Sequence, residues 1–412
     1  MNNRRLLTEY FKLGIAAASP RLTLPSVMPT TPPSGRTIVL GCGKAAAEMA
    51  VVAGECLSGP VRGCVVTRHG HGVPVSPANI EIVEARHPVP DALSLEAGAR
   101  MLLLAAEAGP DDRVLFLISG GGSSLLCAPA AGIAFEEKQA IGDWLVRSGV
   151  GIAKINLVRR HLSRIKGGRL AAVAGERGAD LLTYVISDVT GDDSAMVASG
   201  PSIGSDFVPD TAIGILAATG WNVTPQLAAA IRGNPPPSAS GHPVHLLATN
   251  ADALTAVCDR ASADGWSVVN LGGALTGQAG KIGQDHARIA RSYCRHPGRH
   301  LLVSGGELTV ERARKDGRGG PNLEYLTGML TKLSRDDPIE AVAGDSDGID
   351  GTEDNAGGYL TAAWADRPAA EQALANNRSY DLFEAFGGLI KTGPTRTNVN
   401  DIRMIAVEGP SA

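Results

Sequence analysis

The stretch VLFLISGGGSS, Val114–Ser124, decides the fold class. Its first five residues, Val114–Ile118, are all apolar, so they read as a strand buried on both faces, as in a parallel sheet covered by helices. Three glycines follow at once. Ser119, Gly120, Gly121, Gly122, Ser123 and Ser124 can therefore turn tightly and present successive backbone N–H groups, a nest suited to phosphate or carboxylate. Open α/β sheets bind ligands at such strand ends.

The flanking sequence repeats this pattern. Thr37–Leu40 reads as a strand, Gly41–Lys44 as a loop and Ala45–Cys56 as a helix. Gly63–Thr67, Ile80–Glu84 and Leu182–Ile186 read as further strands, and Asp91 as the cap of a helix running to about Ala108. The Pro- and Ser-rich segment Gly233–His242 reads as a linker. Beyond it, Val244–Ala248, Ser267–Leu271, His300–Val303, Ile339–Ala343 and Met404–Val407 read as strands, with helices at Asp252–Ala263 and about Thr276–Cys294. Leu308–Arg312 is a candidate hairpin arm. The expectation is an α/β protein of two domains, 1–240 and 241–412, each with a mostly parallel, Rossmann-like sheet. An amphipathic helix over about Leu6–Ala18 precedes the first strand and is free to cross over to the second domain.

Composition sets limits. A length of 412 residues suits two or three domains. The formal charge is −4 with acids and bases interspersed, and no basic patch carries aromatic platforms, which argues against nucleic acid as a partner. No apolar run reaches the roughly 18 residues of a membrane span. Six scattered cysteines without a C-x-x-C pair fit thiols in a reducing cytoplasm. The nine histidines show no H-E-x-x-H spacing, and there is no G-x-S-x-G elbow and no Walker A loop.

Four more loops carry chemistry. Gly41-Cys42-Gly43-Lys44 places a mobile cation at a helix N-terminus, where a phosphate is held by amides and ammonium together. Gly41, Gly43 and Ala46 also satisfy G-x-G-x-x-A, the dinucleotide fingerprint, but the second strand ends at Thr67-Arg68 with no acid for a ribose hydroxyl. Asn156–Arg169, NLVRRHLSRIKGGR, includes Arg159, Arg160, Arg164, Lys166 and Arg169, a candidate cationic wall for an anionic substrate. In SDVTGDD, Asp188, Asp192 and Asp193 follow a buried strand, and a hard cation such as Mg²⁺ or a substrate hydroxyl would suit them. In the second domain, GDSDGIDG offers Asp345, Asp347 and Asp350 as metal candidates. It lacks the glutamate of an EF-hand. Glu307, after another strand-end loop, Ser304-Gly305-Gly306, and Asn322, in GGPNLEY, are further candidates for binding substrate or phosphate. Anion loops, cations and acids are the parts that phosphoryl transfer needs.

The ordered set LGCGKAA, ARHPVPD, SGGGSSLL, RRHLSRIKGGRLA, SDVTGDDSAMVASGPS, SGGELTV, GGPNLEY, GDSDGIDGTEDNAGG and TNVNDI resembles the class II glycerate kinase family with its MOFRL C-terminal domain, over essentially the whole chain. The resemblance implies transfer of phosphate from ATP, with Mg²⁺, to the C2 hydroxyl of D-glycerate, in a cleft between two α/β domains. It implies that Lys44 is the lysine near the transferred phosphate. It leaves room for a homodimer. Pro321 stands where many members carry an arginine, with Arg318 nearby, and Arg396 where a glycine is common. Some members bear the name hydroxypyruvate reductase, so NAD(P)H-dependent reduction is the alternative.

Overall fold

The structure, a computed structural model, describes residues 3–204, 208–237, 241–311 and 316–411. The chain divides into two compact units: Pro20–Leu247, and Met1–Ser19 with Ala248–Ala412.

The first of these carries β1 (Thr37–Cys42), β2 (Val61–Arg68), β3 (Ile80–Ala85), β4 (Arg113–Ser119), β5 (Asp180–Ile186) and β6 (Val244–Ala248). Their spatial order is β3-β2-β1-β4-β5-β6. The pairs β1–β2, β2–β3, β1–β4 and β4–β5 are all parallel. The run Val114–Ile118 is fully buried within β4, as its unbroken apolarity requires. Ile38, Leu40, Val66, Phe116 and Ile118 share one core with Met101 and Leu104 of the helix Ala92–Glu107. Asp91 caps that helix: its carboxylate accepts from Ser94 N at 3.0 Å, and Ser94 Oγ accepts from Asp91 N at 3.1 Å. A satellite core of Ile141, Leu145, Val158, Leu216 and Ile231 joins four shorter helices.

The strand order reverses between β1 and β4. At such a switch point the two neighbouring connections run to opposite faces, leaving a crevice beyond the carboxyl ends. The loops after β1 and β4 are Gly43-Lys44 and Gly120–Ser123. β6 departs from the sequence expectation, which has it open the second domain. It instead lies beside β5, with Thr183 N donating to Pro243 O at 3.0 Å, and so covers what would be an open sheet edge.

The other unit holds β7 (Ser267–Asn270), β8 (Arg299–Gly306), β9 (Ile339–Asp345), β10 (Gly357–Thr361), β11 (Leu389–Ile390) and β12 (Asp401–Glu408), in the order β11-β10-β9-β12-β8-β7. Here the expectation of a mostly parallel sheet is wrong. Only β7–β8 pair in parallel, while β8–β12, β12–β9, β9–β10 and β10–β11 are antiparallel. The helices Ala279–Tyr293 and Pro321–Leu330 do keep β7, β8 and β9 in one direction. β12 then inserts antiparallel between β8 and β9. The link from β9 to β10 has no helix and is too short for a crossover, so β10 returns antiparallel.

The helix Asn3–Ala17 belongs to this unit. Leu6, Leu7, Tyr10, Phe11 and Gly14 form its buried face at helical spacing. A Cβ on Gly14 would stand 2.8 Å from Ile402 Cδ1 and 3.2 Å from Val257 Cγ2, so the helix lies close to β12 and to the helix Asn250–Ala263. Tyr10 OH donates to Asp264 at 2.8 Å. Among the described residues no helix is long and apolar enough to cross a membrane, and all six cysteines are free thiols.

Candidate active site

At the switch point, the β1 and β4 loops are tied together by their backbones. Gly43 N donates to Val66 O at 3.1 Å, Lys44 N to Gly120 O at 2.9 Å, Ala45 N to Ser119 Oγ at 3.0 Å and Ala46 N to Gly43 O at 3.1 Å. Gly43 has φ of 123° and packs so closely on Ser119 that any side chain would collide. The amides of Gly43 through Ala46 are thus all engaged within the protein. What this loop presents is the half-buried Lys44 side chain.

After β4, Gly121 adopts φ of 79° and starts the single helical turn Gly122–Leu125. A Cβ on Gly121 would stand 3.3 Å from Lys44 Cγ and 3.3 Å from His87 Nε2, so both side chains flank this glycine. Ser124 Oγ donates to Gly121 O at 3.2 Å, and Ser123 Oγ shares a hydrogen bond with Ser199 Oγ at 2.9 Å. Ser199 Oγ also donates to the buried Asn156 Oδ1 at 3.3 Å. Ala198, Ser199 and Gly200 are all left-handed, with φ of 53°, 63° and 62°. Two of these are not glycine, a strain that persists where surroundings impose it, commonly at functional sites. The Gly167-Gly168 pair does so here: Gly167 N donates to Ser199 O at 3.1 Å and Gly168 N to Gly200 O at 2.7 Å.

The basic run is more structural than its charge suggests. Arg169 donates to the carbonyls of Arg160, Lys166 and Asn234, and burial lowers its pKa to about 10. Arg160 Nη2 donates to Ala195 O at 2.6 Å and approaches Met196 Sδ at 3.2 Å, which braces the acidic loop. Lys166 is 1% exposed, donates to Leu126 O at 3.1 Å, and is pulled down to about 7 by burial and by Lys138. In the loop after β5, Asp188 is half-buried, Asp192 is left-handed with φ of 54°, and the exposed Asp193 accepts from Ala195 N at 3.0 Å.

In the other unit, Asp401 faces both Gly306 and Asp345 across its ladders. The ends of β8 and β9 and the start of β12 therefore share one edge. The exposed Glu307 sits there. The GDSDGID loop is laced to the segment before β12: Val399 N donates to Ser346 Oγ at 2.8 Å, and Thr395 N to Asp347 O at 3.1 Å. Asp345 accepts from Asp347 N at 2.9 Å and Asp347 from Ile349 N at 2.7 Å, closing the turn.

Asp350 and Asn322 correct the sequence expectation. Asp350 caps the helix Pro321–Leu330, its two oxygens accepting from Asn322 N and Leu323 N at 2.9 Å each. With both oxygens so used and the residue 1% exposed, it does not offer a metal ligand. Asn322 is fully buried and donates to Asp401 at 2.7 Å, so it is a link in this network and faces no open site. Asp401 in turn pairs with Arg403, which donates to Gly305 O at 2.8 Å. Nor does Arg318 supply a loose cation near Pro321. It pairs with Glu353 at 3.1 Å and Asp381 at 2.7 Å, over the Tyr380 ring. Among the described residues no three His, Cys, Asp or Glu gather as a ready-made metal cage.

Sequence comparison completes the picture. Residues 6–232 match the family model described as Domain of unknown function (DUF4147), and residues 300–401 match the MOFRL family. A D-glycerate 2-kinase of Thermotoga maritima is 34% identical over 97% of this chain and 97% of its own length. The chain belongs to the class II glycerate kinase family. The crystal structure of a Thermotoga maritima glycerate kinase superposes with a TM-score of 0.85 at 33% identity, covering 98% of this chain and 99% of that one. A relative from Agrobacterium vitis, 40% identical over 98% of this chain and 94% of its length, carries the provisional name hydroxypyruvate reductase.

Within this family member, sequence reading singled out Lys44 and the Ser119–Ser124 loop but gave no role to His87 or Ser199. The signal for His87 is the ARHPVPD segment after β3. Ser199 has none, because its position depends on a left-handed turn that no residue type announces.

Proposed function

We propose that this chain is a glycerate 2-kinase, transferring the γ-phosphate of ATP to the C2 hydroxyl of D-glycerate and releasing 2-phosphoglycerate and ADP. The observation that carries this reading is the Lys44 side chain beside Gly121 at the β1/β4 switch point. Lys44 neutralises charge on the transferring phosphoryl group, and the Gly120–Ser123 turn receives phosphate oxygens. Asp188 or Asp192 orients the hydroxyl and takes its proton as the oxygen attacks phosphorus. Glu307, Asp345 and Asp347 remain candidates for contacts made by the second unit.

Mg²⁺ fits this donor set as part of the nucleotide complex. Without a cage of carboxylates, the ion would keep its waters and phosphate oxygens and take one or two protein ligands, with Asp193 the exposed candidate. When bound, it supplies charge neutralisation between the β- and γ-phosphates.

The reductase reading has the fingerprint and the Agrobacterium name in its favour. The local geometry opposes it. A dinucleotide fingerprint works by leaving loop amides free for the pyrophosphate, and here the amides from Gly43 to Ala46 are consumed by Val66, Gly120, Ser119 and Gly43 itself. The test is ADP release from ATP with D-glycerate, run beside NADPH and NADH oxidation with hydroxypyruvate. Turnover in the first assay alone is expected. Cofactor oxidation without ADP release would reverse the assignment.

A further inference from the structure

Beside Ser123 and Ser124 lies a cavity of about 290 Å³, within the unit Pro20–Leu247. Val89, Pro90, Leu145 and Leu162 give it apolar walls, and Lys138, Arg159 and Lys166 line it from two helices and the turn that follows. Lys138 and Lys166 are 8% and 1% exposed, and their ammonium groups donate to Ala128 O at 3.4 Å and Leu126 O at 3.1 Å. Arg159 makes no hydrogen bond or ion pair with any described residue, and none of the three cations has a carboxylate partner. Asp143 and Arg147 border the cavity, and both are exposed.

Three cations around one small apolar space repel one another and have lost much of their hydration. Burial lowers the pKa of all three, that of Lys166 to about 7. Buried charges are ordinarily paired or ligand-bound, and each carbonyl satisfies one of an ammonium's three donors. What completes such a cavity is an anion. Its size and apolar walls suit a monoanion on a short carbon chain, whereas a triphosphate needs many more polar donors. Ser123 and Ser124 line the cavity and also belong to the turn that begins at Gly121, beside Lys44.

We propose that the Lys138–Arg159–Lys166 cavity binds the carboxylate of the acceptor acid, holding a small 2-hydroxy acid so that its C2 hydroxyl faces Ser123 and Lys44. The identity of the acid rests on the kinase reading; the cavity's selection of a small carboxylate does not.

The experiment is calorimetric titration of the full chain with D-glycerate, propionate and ATP, each alone, for the wild type, Lys138→Met, Arg159→Met and Arg159→Lys. Melting temperatures identify any variant that has lost its fold. Arg159 is only part-buried, so its two variants keep the test open should Lys138→Met not fold. The dissociation constants for D-glycerate and propionate are expected to rise about 10- to 100-fold in the Met variants, less in Arg159→Lys, with that for ATP within about twofold. Unchanged carboxylate affinity in folded Arg159→Met overturns the proposal, as does a wild type that binds neither acid. Weakened ATP binding instead would assign the cavity to the nucleotide and also overturn it. A wild type that binds propionate through Arg159 yet phosphorylates no hydroxy acid would sink the kinase reading and leave the cavity assignment standing.

Discussion

The two sheets of this protein place similar loops at similar strand ends and use them differently. In the sheet β3-β2-β1-β4-β5-β6, the paired strands around the switch point are parallel, and two connections leave in opposite directions. Nothing threads back between β1 and β4. Lys44, Gly121 and Ser123 are left at a crevice. In the other sheet, β12 runs back between β8 and β9. Its leading segment is laced to the acidic loop after β9, with Val399 N donating to Ser346 Oγ, while Asp345 and Asp347 each accept an amide of their own turn and Asp350 caps a helix. The lesson is that strand direction decides how many groups of an acid-rich strand-end loop the fold itself uses.

The comparison can be broken most forcefully at Arg403. This residue is fully buried against Asp401. If the network is a structural lock, Arg403→Met should leave Asp401 buried without its counter-charge and cost about 3–5 kcal/mol, read from the urea midpoint. A near wild-type midpoint with lost turnover would mean that Arg403 serves the reaction.

At the open edge the expected effect is on rate. Lys44→Ala should lower kcat by about 10²–10³, the scale for one preorganised electrostatic donor, while KM for glycerate changes less. Its melting temperature should stay near wild type, because a half-buried loop side chain contributes little packing. Near-normal turnover would reduce Lys44 to a surface charge and remove the contrast between the two edges.

The smallest effect is a slope. Burial raises the Asp350 carboxyl from 3.8 to about 7, against the opposing hydrogen bonds from Asn322 and Leu323. Between those values the folded chain holds a proton that the unfolded chain has released. The native state then binds more protons, so this group makes stability fall as pH rises from about 4 to about 7, by at most about 1.4 kcal/mol per pH unit. Asp350→Asn resembles the neutral acid and should flatten that fall. Denaturant midpoints at several pH values across the window check it, and an unchanged slope in the variant would show that another group is responsible.

Much of the open site was legible in the chain. Val114–Ile118 could only be a doubly covered strand, since five successive apolar residues have no solvent face to offer. The glycines behind it and Lys44 behind β1 followed from the same alternation of strand and helix, which also fixes β7, β8 and β9 in one direction. Local residue types carry that information, because burial and turn geometry act on neighbours. What Asp350, Asn322 and Arg169 do was not legible there. Each carries a charge or amide that suits a ligand, and each is used inside the fold: Asp350 by Leu323 N from 27 residues away, Asn322 by the Asp401 carboxylate from 79 residues away, and Arg169 by Asn234 O from 65 residues away. Those partners are supplied by packing and by an antiparallel strand whose direction no local pattern states. Residue type alone therefore named the groups able to bind an anion or a metal, and only the tertiary structure decided which of them the fold had already used.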